Sequence, residues 1–384
     1  MARARGIHLH VYPSTFEFES RMDRIGAALG RAGLFSKVVF VGVWREGLKE
    51  METTPMGVQV HRVRSRFADR QGLVQRLARF ISWSWRIYRH YRRGEIACIN
   101  CHSLSAFPLC ILLQTSTGAS LVYDAHELET ETHSMQGLRR WLARMVERLC
   151  IHRAKAHVFV NDSIAKWYEQ RYGLQGVHVV RNVPPKPESL DESGDGLRQA
   201  VGLDADRMVC LHQGLLQPGR GIEVMLEAFK GLGTSHHLVF LGFGDLVDEI
   251  KDHARRFQNI HYHEPVAPER LRSMTRGADI GLHLIPDTCL NHHYCLPNKI
   301  FEYSHAGVPF IASDLPEIKA FTQEYKCGWT VAPTAEALCD RLISLDKAAI
   351  NFARAGCQRA AAEVNWESET DRLLEVYSSM GFAE

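Results

Sequence analysis

The sequence has no apolar run approaching the roughly 20 residues that span a bilayer, so no membrane-crossing helix is expected. It also lacks a charge excess. Lys plus Arg number 46 against 44 for Asp plus Glu, a balance unlike that of a protein devoted to nucleic acid. The start, MARARGIHLHVY, passes from basic residues directly into a strand-like run, without the apolar core or cleavage site of a secretory signal. A cytoplasmic location is therefore expected. Paired metal-ligand spacings are missing too. Cys98-Ile-Asn-Cys101-His102 has the spacing of haem attachment, but that chemistry needs an exported protein, and EIACINC reads as a buried strand ending at a loop. Zinc would need a second ligand pair, which Cys110 alone does not supply. The ten cysteines read as free core thiols. Neither internal repeats nor low-complexity tracts occur.

What is present is an ordinary globular composition, 45% hydrophobic and 23% charged, over 384 residues, a length that favours two hydrophobic cores. Short apolar runs alternate with helical patterns throughout, the signature of parallel sheets flanked by helices. The first half predicts strands near 7–12, 37–42, 58–63, 96–101, 120–124, 157–160 and 177–180. The second predicts them near 208–213, 237–242, 260–263, 280–285, 310–313 and 328–331. Between the halves lies PPKPESLDESGDG, Pro184 to Gly196, rich in proline, acid and glycine and without periodicity. The expected division is residues 1–183, a linker 184–197, residues 198–364, and a final amphipathic helix within 365–384 that crosses back to the first domain.

Four stretches carry candidate chemistry. The strand ending at His212 runs into Gln213-Gly214-Leu-Leu-Gln-Pro218-Gly219-Arg220-Gly221 and then the helix-like IEVMLEAF. Glycines between strand and helix leave N–H groups free to face an anion, and Arg220 would add charge for a diphosphate; a plain turn with a solvated arginine fits as well. Gly242-Phe243-Gly244-Asp245 follows another strand but lacks the third glycine of a dinucleotide fingerprint, since residue 247 is Val. In Tyr123-Asp124-Ala125-His126-Glu127, polar residues close an apolar strand, where open α/β sheets face their ligands. His126 could hydrogen-bond a sugar or phosphate, with Asp124 or Glu127 orienting it or meeting an acceptor hydroxyl.

The fourth stretch is CLPNKIFEYSHAGVPFIASDLPE, residues 295–317. Pro297 suits a first helical turn and Gly307 a left-handed stop before the next strand. Lys299 and Glu302 share a helix face while Ile300, Phe301 and Tyr303 pack inward. Taken locally, Lys299 and Glu302 read as a surface ion pair.

In order and spacing, these motifs, with Arg21, RRWLARMVERLCIHRAKAHVFVNDSIAKWYEQRYG, Arg181-Asn182-Val183-Pro184 and Trp366, resemble a family-four GT-B glycosyltransferase of the subgroup with an LPNK-type helix. The resemblance implies two Rossmann-like domains whose parallel sheets face each other across a cleft. It implies retaining transfer of a sugar from a nucleotide diphosphate to a glycan or lipid-linked acceptor, without a metal or protein nucleophile, the leaving phosphate oxygen taking the acceptor's proton. Glu302 then accepts from ribose hydroxyls, and Lys299, Arg220 and the amides around Gly214, Gly219 and Gly221 hold the diphosphate. Pro297, Asn298, Gly242 and Gly244 line the donor site, and the loop at His263–Val266 reaches the base. Two departures stand out: Tyr294 occupies the place of a sugar-contacting glutamate, and Leu215 that of an arginine. Tyr294 leaves open a weakly catalytic nucleotide-sugar-binding scaffold; a nucleotide-sugar epimerase ranks last, since a second carboxylate constellation is missing. His283, His292 and His293 read as a loop lining the sugar pocket rather than as metal ligands.

Between Arg62 and Arg93 there are ten arginines and one acid, Asp69. Arg76, Arg79, Trp83, Arg86, His90 and Arg93 form one helical stripe, with Leu73, Leu77, Phe80, Ile81 and Tyr88 opposite. The expectation is a basic, Trp-containing face turned to solvent or to anionic lipid, and an apolar face packed on the domain.

Overall fold

The alternation of apolar runs and amphipathic segments resolves into two sheets. The structure, a computed structural model, describes residues 6–382 apart from 18, 55–56, 68–71, 188–194 and 205. Two compact units emerge, Met1–Asn182 with Glu369–Glu384, and Val183–Ser368.

In the first unit the strands are β1 (Ile7–Val11), β2 (Lys37–Val43), β3 (Met51–Thr53), β4 (Gln59–Val63), β5 (Ile96–Cys101), β6 (Ser120–Ala125), β7 (Ala156–Phe159) and β8 (Val177–Val179). Their order is β3-β4-β2-β1-β5-β6-β7-β8. At one edge the sheet adds a strand the sequence reading missed: β3 runs antiparallel to β4. A short turn around Gly57, where Thr54 N donates to the Val58 carbonyl, allows only antiparallel return. Every residue of β6 is buried, as expected of a strand covered on both faces.

Right-handed crossovers decide which helix lies on which face. The Ser20–Ala32 helix links β1 to β2, moving one way along the sheet, whereas the helices Leu73–Tyr91, Phe107–Thr117, Gly137–Cys150 and Asp162–Tyr172 all move the other way and therefore share the opposite face. The chain's last helix, Trp366–Ser379, returns to the first unit. There Tyr377 is fully buried beside His8 and Phe35, and Glu369 accepts from the Arg181 backbone N–H at 2.8 Å.

The second unit contains β9 (Met208–Leu215), β10 (His236–Phe243), β11 (Ile260–His263), β12 (Ile280–His283), β13 (Phe310–Ser313) and β14 (Gly328–Val331), ordered β11-β10-β9-β12-β13-β14 with every pair parallel. From β9 the chain builds outward one way through β10 and β11, and from β12 the other way. The strand order thus reverses between β9 and β12, and such a switch point opens a crevice at the carboxyl ends of the strands. Where the chain enters and leaves this unit, His305 bridges the Pro185 and Val364 carbonyls, and Trp366 N donates to Pro184 O at 2.9 Å.

Of the expected linker, residues 188–194 lie outside the described residues, and the Asp195–Val201 helix begins before its expected end. All ten cysteines are free, and seven are buried, as core thiols are. The Leu73–Tyr91 helix is oriented contrary to expectation. Trp83, Ile87 and Tyr91 form its buried stripe, with Trp83 Nε1 donating to the Gly42 carbonyl at 2.9 Å, whereas Leu77 and Ile81 are exposed. Phe80 and Tyr88 are half-buried, and the Leu73 side chain lies outside what the structure describes.

Candidate active site

The switch point of the second unit is built around Tyr303. Its buried hydroxyl donates to the Leu211 and Leu282 carbonyls at 3.0 and 3.2 Å, pinning the Asn298–His305 helix to β9 and β12 at once. Gly281 makes room: a Cβ there would stand 2.5 Å from the Tyr303 ring. Pro297 caps this helix just outside its first turn, Asn298 opens it exposed, and Gly307 (φ +71°) ends it as the sequence predicts. Ile300, Phe301 and Tyr303 are buried, so Lys299 and Glu302 face the crevice side.

Glu302 is held by a partner that sequence reading missed. Gln213 Nε2 donates to Glu302 Oε2 at 2.7 Å, and Thr275 Oγ1 donates to Gln213 Oε1 at 2.7 Å. A carboxylate only accepts, so the Gln213 amide must turn its NH2 to Glu302 and its oxygen to Thr275. One oxygen of Glu302 is thereby fixed and the other is left for a ligand. Gln213 sits in the Gln-Gly motif, but β9 runs through it to Leu215, so Gln213 is a strand residue and not a loop residue.

Lys299 approaches the glycine loop directly. A Cβ at Gly214 would lie 3.4 Å from Lys299 Nζ, so the ammonium stands against the loop backbone, and the positive φ there (+97°) favours glycine. Burial lowers the Lys299 ammonium below its usual range, Glu302 opposes that shift, and Arg220 adds to it by repulsion. Beneath the cations lie His212 and His283, both buried, with parallel rings 6.4 Å apart. Burial, then Lys299 and Arg220, pushes His212 down to about 3; the same causes, with His212 itself, push His283 well down. Both rings are neutral, and the surplus positive charge belongs to Lys299 and Arg220. The N-terminus of the Ile222–Gly231 helix opens at Gly221, whose Cβ would meet the Leu284 carbonyl at 1.9 Å. Two cations, loop amides and a helix N-terminus are the chemistry that could hold an anion.

The remaining predicted donor residues lie in the same unit. Gly219 is in the same loop at φ +78°, and Gly242 and Gly244 abut the Gly214 and Leu216 carbonyls, allowing the two strand ends to close together. Val266 follows β11 and packs half-buried against the core, and Tyr294 caps the short Leu290–His293 helix. His292 and His293 are engaged locally, His292 with the Pro286 carbonyl and His293 with Asp287 at 2.8 Å.

The first unit brings together a different set. Arg21, expected in the first helix, donates to Asp124 Oδ1 at 3.0 Å and to the Val180 carbonyl at 2.9 Å, wholly buried. Burial alone would raise the Asp124 carboxyl, but Arg21, His102 and His126 together hold it below its usual range. From this carboxylate a ladder of histidines runs inward. His102 Nδ1 lies 3.4 Å from Asp124 Oδ2 and 3.2 Å from His126 Nε2, and His102 Nε2 lies 2.8 Å from His10 Nδ1. His8, beside His10, donates from Nε2 to Asn100 Oδ1, whose amide donates to the Tyr377 hydroxyl.

Burial lowers His8 and His126 to about 4 and His102 to about 3, so the ladder is neutral. Its tautomers follow from the network. With the hydrogen of His102 on Nδ1, the nitrogen that faces Asp124 and His126, His126 Nε2 accepts from His102 and His102 Nε2 accepts from His10. His126, whose side chain is 22% exposed, carries its own hydrogen on Nδ1 as a donor. Asp124 is completely buried and reaches a ligand only through His126, whereas Glu127 is exposed. Sequence reading treated His102 as part of a structural Cys-x-x-Cys-His run and did not see His10. Glu129, also unpredicted, accepts from Leu104 N and Ser103 Oγ at 2.6 and 3.0 Å, and burial raises it to about 7. Among the described residues, His102, Asp124 and His126 are the group with metal-like spacing, their ligand atoms within 4.8 Å of one another. Each already has a protein partner, and Arg21 competes for the carboxylate.

Comparison with known proteins agrees with this division. Residues 19–183 match the model of the glycosyl transferase 4-like domain, and residues 207–347 match that of the glycosyl transferases group 1. No curated protein matches the chain in sequence. Among solved structures, sucrose-phosphate synthase from Thermosynechococcus elongatus superposes with a TM-score of 0.80 at 15% identity, covering 98% of this chain and 99% of that one. HepE of Anabaena, in complex with UDP-glucose, gives 0.74 at 14% identity over 97% of this chain and 100% of that one. The lipopolysaccharide outer core galactosyltransferase WaaB gives 0.69 at 10% identity over 97% of this chain and 99% of that one. At such identities the likeness speaks to the fold, which is of GT-B type.

Proposed function

We propose, given that the chain is a glycosyltransferase joining a 4-like domain to a group 1 domain, that it moves a sugar from a nucleoside-diphosphate donor to a glycan or lipid-linked acceptor with retention. The observation that carries this reading is the pairing of Glu302 with a surplus of cations. Gln213 fixes one Glu302 oxygen, and Lys299 stands at Gly214 with Arg220 near enough to depress it. A carboxylate beside two cations suits a ligand that is a diol at one end and a diphosphate at the other. The ribose and diphosphate of a nucleotide sugar are such a pair, and HepE was crystallised with one.

In the proposed reaction the acceptor hydroxyl bonds to the anomeric carbon as the bond to the diphosphate oxygen breaks. The acceptor's proton passes to the departing phosphate oxygen. Lys299, Arg220 and the loop amides stabilise the charge that grows there, and preorganised charge of this kind is often the largest single contribution to catalysis. In the first unit His126 offers Nδ1–H to a sugar oxygen, with Arg21, Asp124 and His102 as positioning residues. Tyr294 in place of a carboxylate alters how the sugar is held and leaves its identity to be measured. Surface-polysaccharide or glycolipid synthesis is the setting that fits a glycan or lipid-linked acceptor.

The test is release of sugar from a panel of nucleotide sugars beginning with UDP-glucose, with and without acceptor. Glu302→Ala and Arg220→Ala are each expected to lower turnover by about a hundredfold, the scale of losing one charge-stabilising donor. Wild-type rates in both variants would sink the assignment. Donor binding without any turnover in the unmodified chain would favour the scaffold reading that Tyr294 motivates.

A further inference from the structure

Helices normally bury their apolar stripe and show water their polar one. Two helices of the first unit also show water an apolar ridge. On Gly137–Cys150 the exposed side chains include Leu138, Trp141, Leu142, Met145 and Leu149, at 41 to 72% exposure. Its buried side instead carries Glu147, completely enclosed, accepting from the Tyr168 and Tyr172 hydroxyls at 2.8 and 2.6 Å. On Leu73–Tyr91 the residues Val74, Leu77, Ile81 and Trp85 form a second ridge at 58 to 77% exposure. The Phe107–Thr117 helix packs against both and adds Leu112 at 56%. All three helices lie on one face of the sheet, so the ridges are neighbours. Contiguous exposed apolar surface of this kind marks an interaction site.

Charge identifies the partner. Arg76, Arg86, Arg89, Arg92 and Arg93 are exposed on or just past one helix, Arg139 and Arg148 on the other, and neither helix exposes an acid. A pocket of about 550 Å³ adjoins the ridge on Gly137–Cys150, lined by Trp141, Arg144, Arg148, Arg171 and Tyr172. A second copy of this chain meeting the same face would set arginine against arginine. A nucleic acid would match the cations but leave the leucine and isoleucine ridge in water. A surface that is anionic outside and hydrocarbon beneath satisfies both components.

We propose that this three-helix face docks on an anionic phospholipid bilayer, its two apolar ridges entering the acyl boundary and the Arg148–Arg171 pocket seating a lipid phosphate. This is not the basic Trp83 stripe expected from sequence, since Trp83 is core. The inference stands apart from the donor site, which lies in the other unit.

The test is co-sedimentation of the full chain with phosphatidylcholine vesicles and with vesicles containing phosphatidylglycerol. The expected result is binding to the anionic vesicles, about tenfold or more weaker on neutral ones and weakened by salt. Leu77→Glu with Ile81→Glu, and separately Trp141→Glu with Leu149→Glu, each lower that binding about tenfold or more, and Arg148→Glu with Arg171→Glu removes the preference for phosphatidylglycerol. In vesicles of brominated lipid, Trp85 and Trp141 fluorescence is quenched. Circular dichroism melts and nucleotide-diphosphate thermal shifts stay as in the unmodified chain, which separates this surface from folding and from donor binding. No binding to either vesicle, equal binding to both, or binding unchanged by the ridge variants overturns the proposal. Dimerisation of the unmodified chain that the ridge variants abolish, without vesicle binding, overturns it in favour of a second copy.

Discussion

The polar centres of the two units differ in how their charge is balanced. In the first, Arg21 neutralises Asp124, and the histidines leading inward from it are uncharged, so the centre is satisfied within the protein. In the second, Lys299 and Arg220 repel one another above two neutral histidines, and Glu302 offsets only part of the surplus. A satisfied centre can offer a directed hydrogen bond, as His126 does, at little electrostatic cost. An unsatisfied one holds a standing demand for an anion. On the proposed reading, this difference places the diphosphate in the second unit and neutral hydroxyl recognition in the first.

Breaking the balanced centre has the largest expected effect. Asp124→Ala leaves Arg21 buried without its partner, and should cost about 3–5 kcal/mol of stability, whereas Arg21→Leu with Asp124→Leu together should cost much less than the sum. Urea unfolding of the intact chain measures both. In the surplus centre the effect has the reverse sign. Lys299→Met removes a repelled, desolvated cation, so the ligand-free protein should melt at a higher temperature, while affinity for a nucleoside diphosphate falls by about tenfold to a hundredfold. Affinity for the matching nucleoside should be nearly unchanged, and calorimetric titration with both ligands makes the contrast.

Acid should act through the histidines. His8, His102, His126 and His212 have folded-state values of about 3 to 4 against 6.5 when free, so the unfolded chain binds more protons in that window. Stability is full above pH 6.5 and is lost as pH falls toward 4. Glu129, raised to about 7, contributes with the opposite sign, since its share of stability is lost as pH rises from about 4.5 to 7. The histidines outnumber it, so urea midpoints should drop between pH 6.5 and 5, less so in His102→Asn. A flat profile would contradict the neutral ladder. The smallest effect is expected at Thr275→Val, which frees Gln213 to rotate away from Glu302 and should weaken nucleoside binding severalfold with little change in fold stability.

Much of this architecture could be read from the chain itself. The limits of β11, β13 and β14 match the sequence reading, because each is a short run bounded by loop residues. β3 escaped because three residues, Met-Glu-Thr, show no alternation. The Leu73–Tyr91 helix was read inside out because it has two apolar stripes, and only the sheet decides that Trp83, Ile87 and Tyr91 are the buried one. In the candidate site, Gly214, Arg220, Lys299 and Glu302 were legible because each belongs to a local motif. Gln213 and Thr275, 62 residues apart, and His10 and His102, 92 apart, were not, because the fold alone brings such pairs together.

The measurement that tests the central claim most directly is a thermal-shift titration of the full chain with UDP, GDP, CDP, ADP and TDP, repeated on Glu302→Ala and Lys299→Ala. A ligand that binds only the folded state raises its melting temperature with the logarithm of concentration. The account predicts a shift with at least one nucleotide, lost in both variants. No shift with any of the five, or a shift that survives both substitutions, would contradict the placement of the donor site at Lys299 and Glu302.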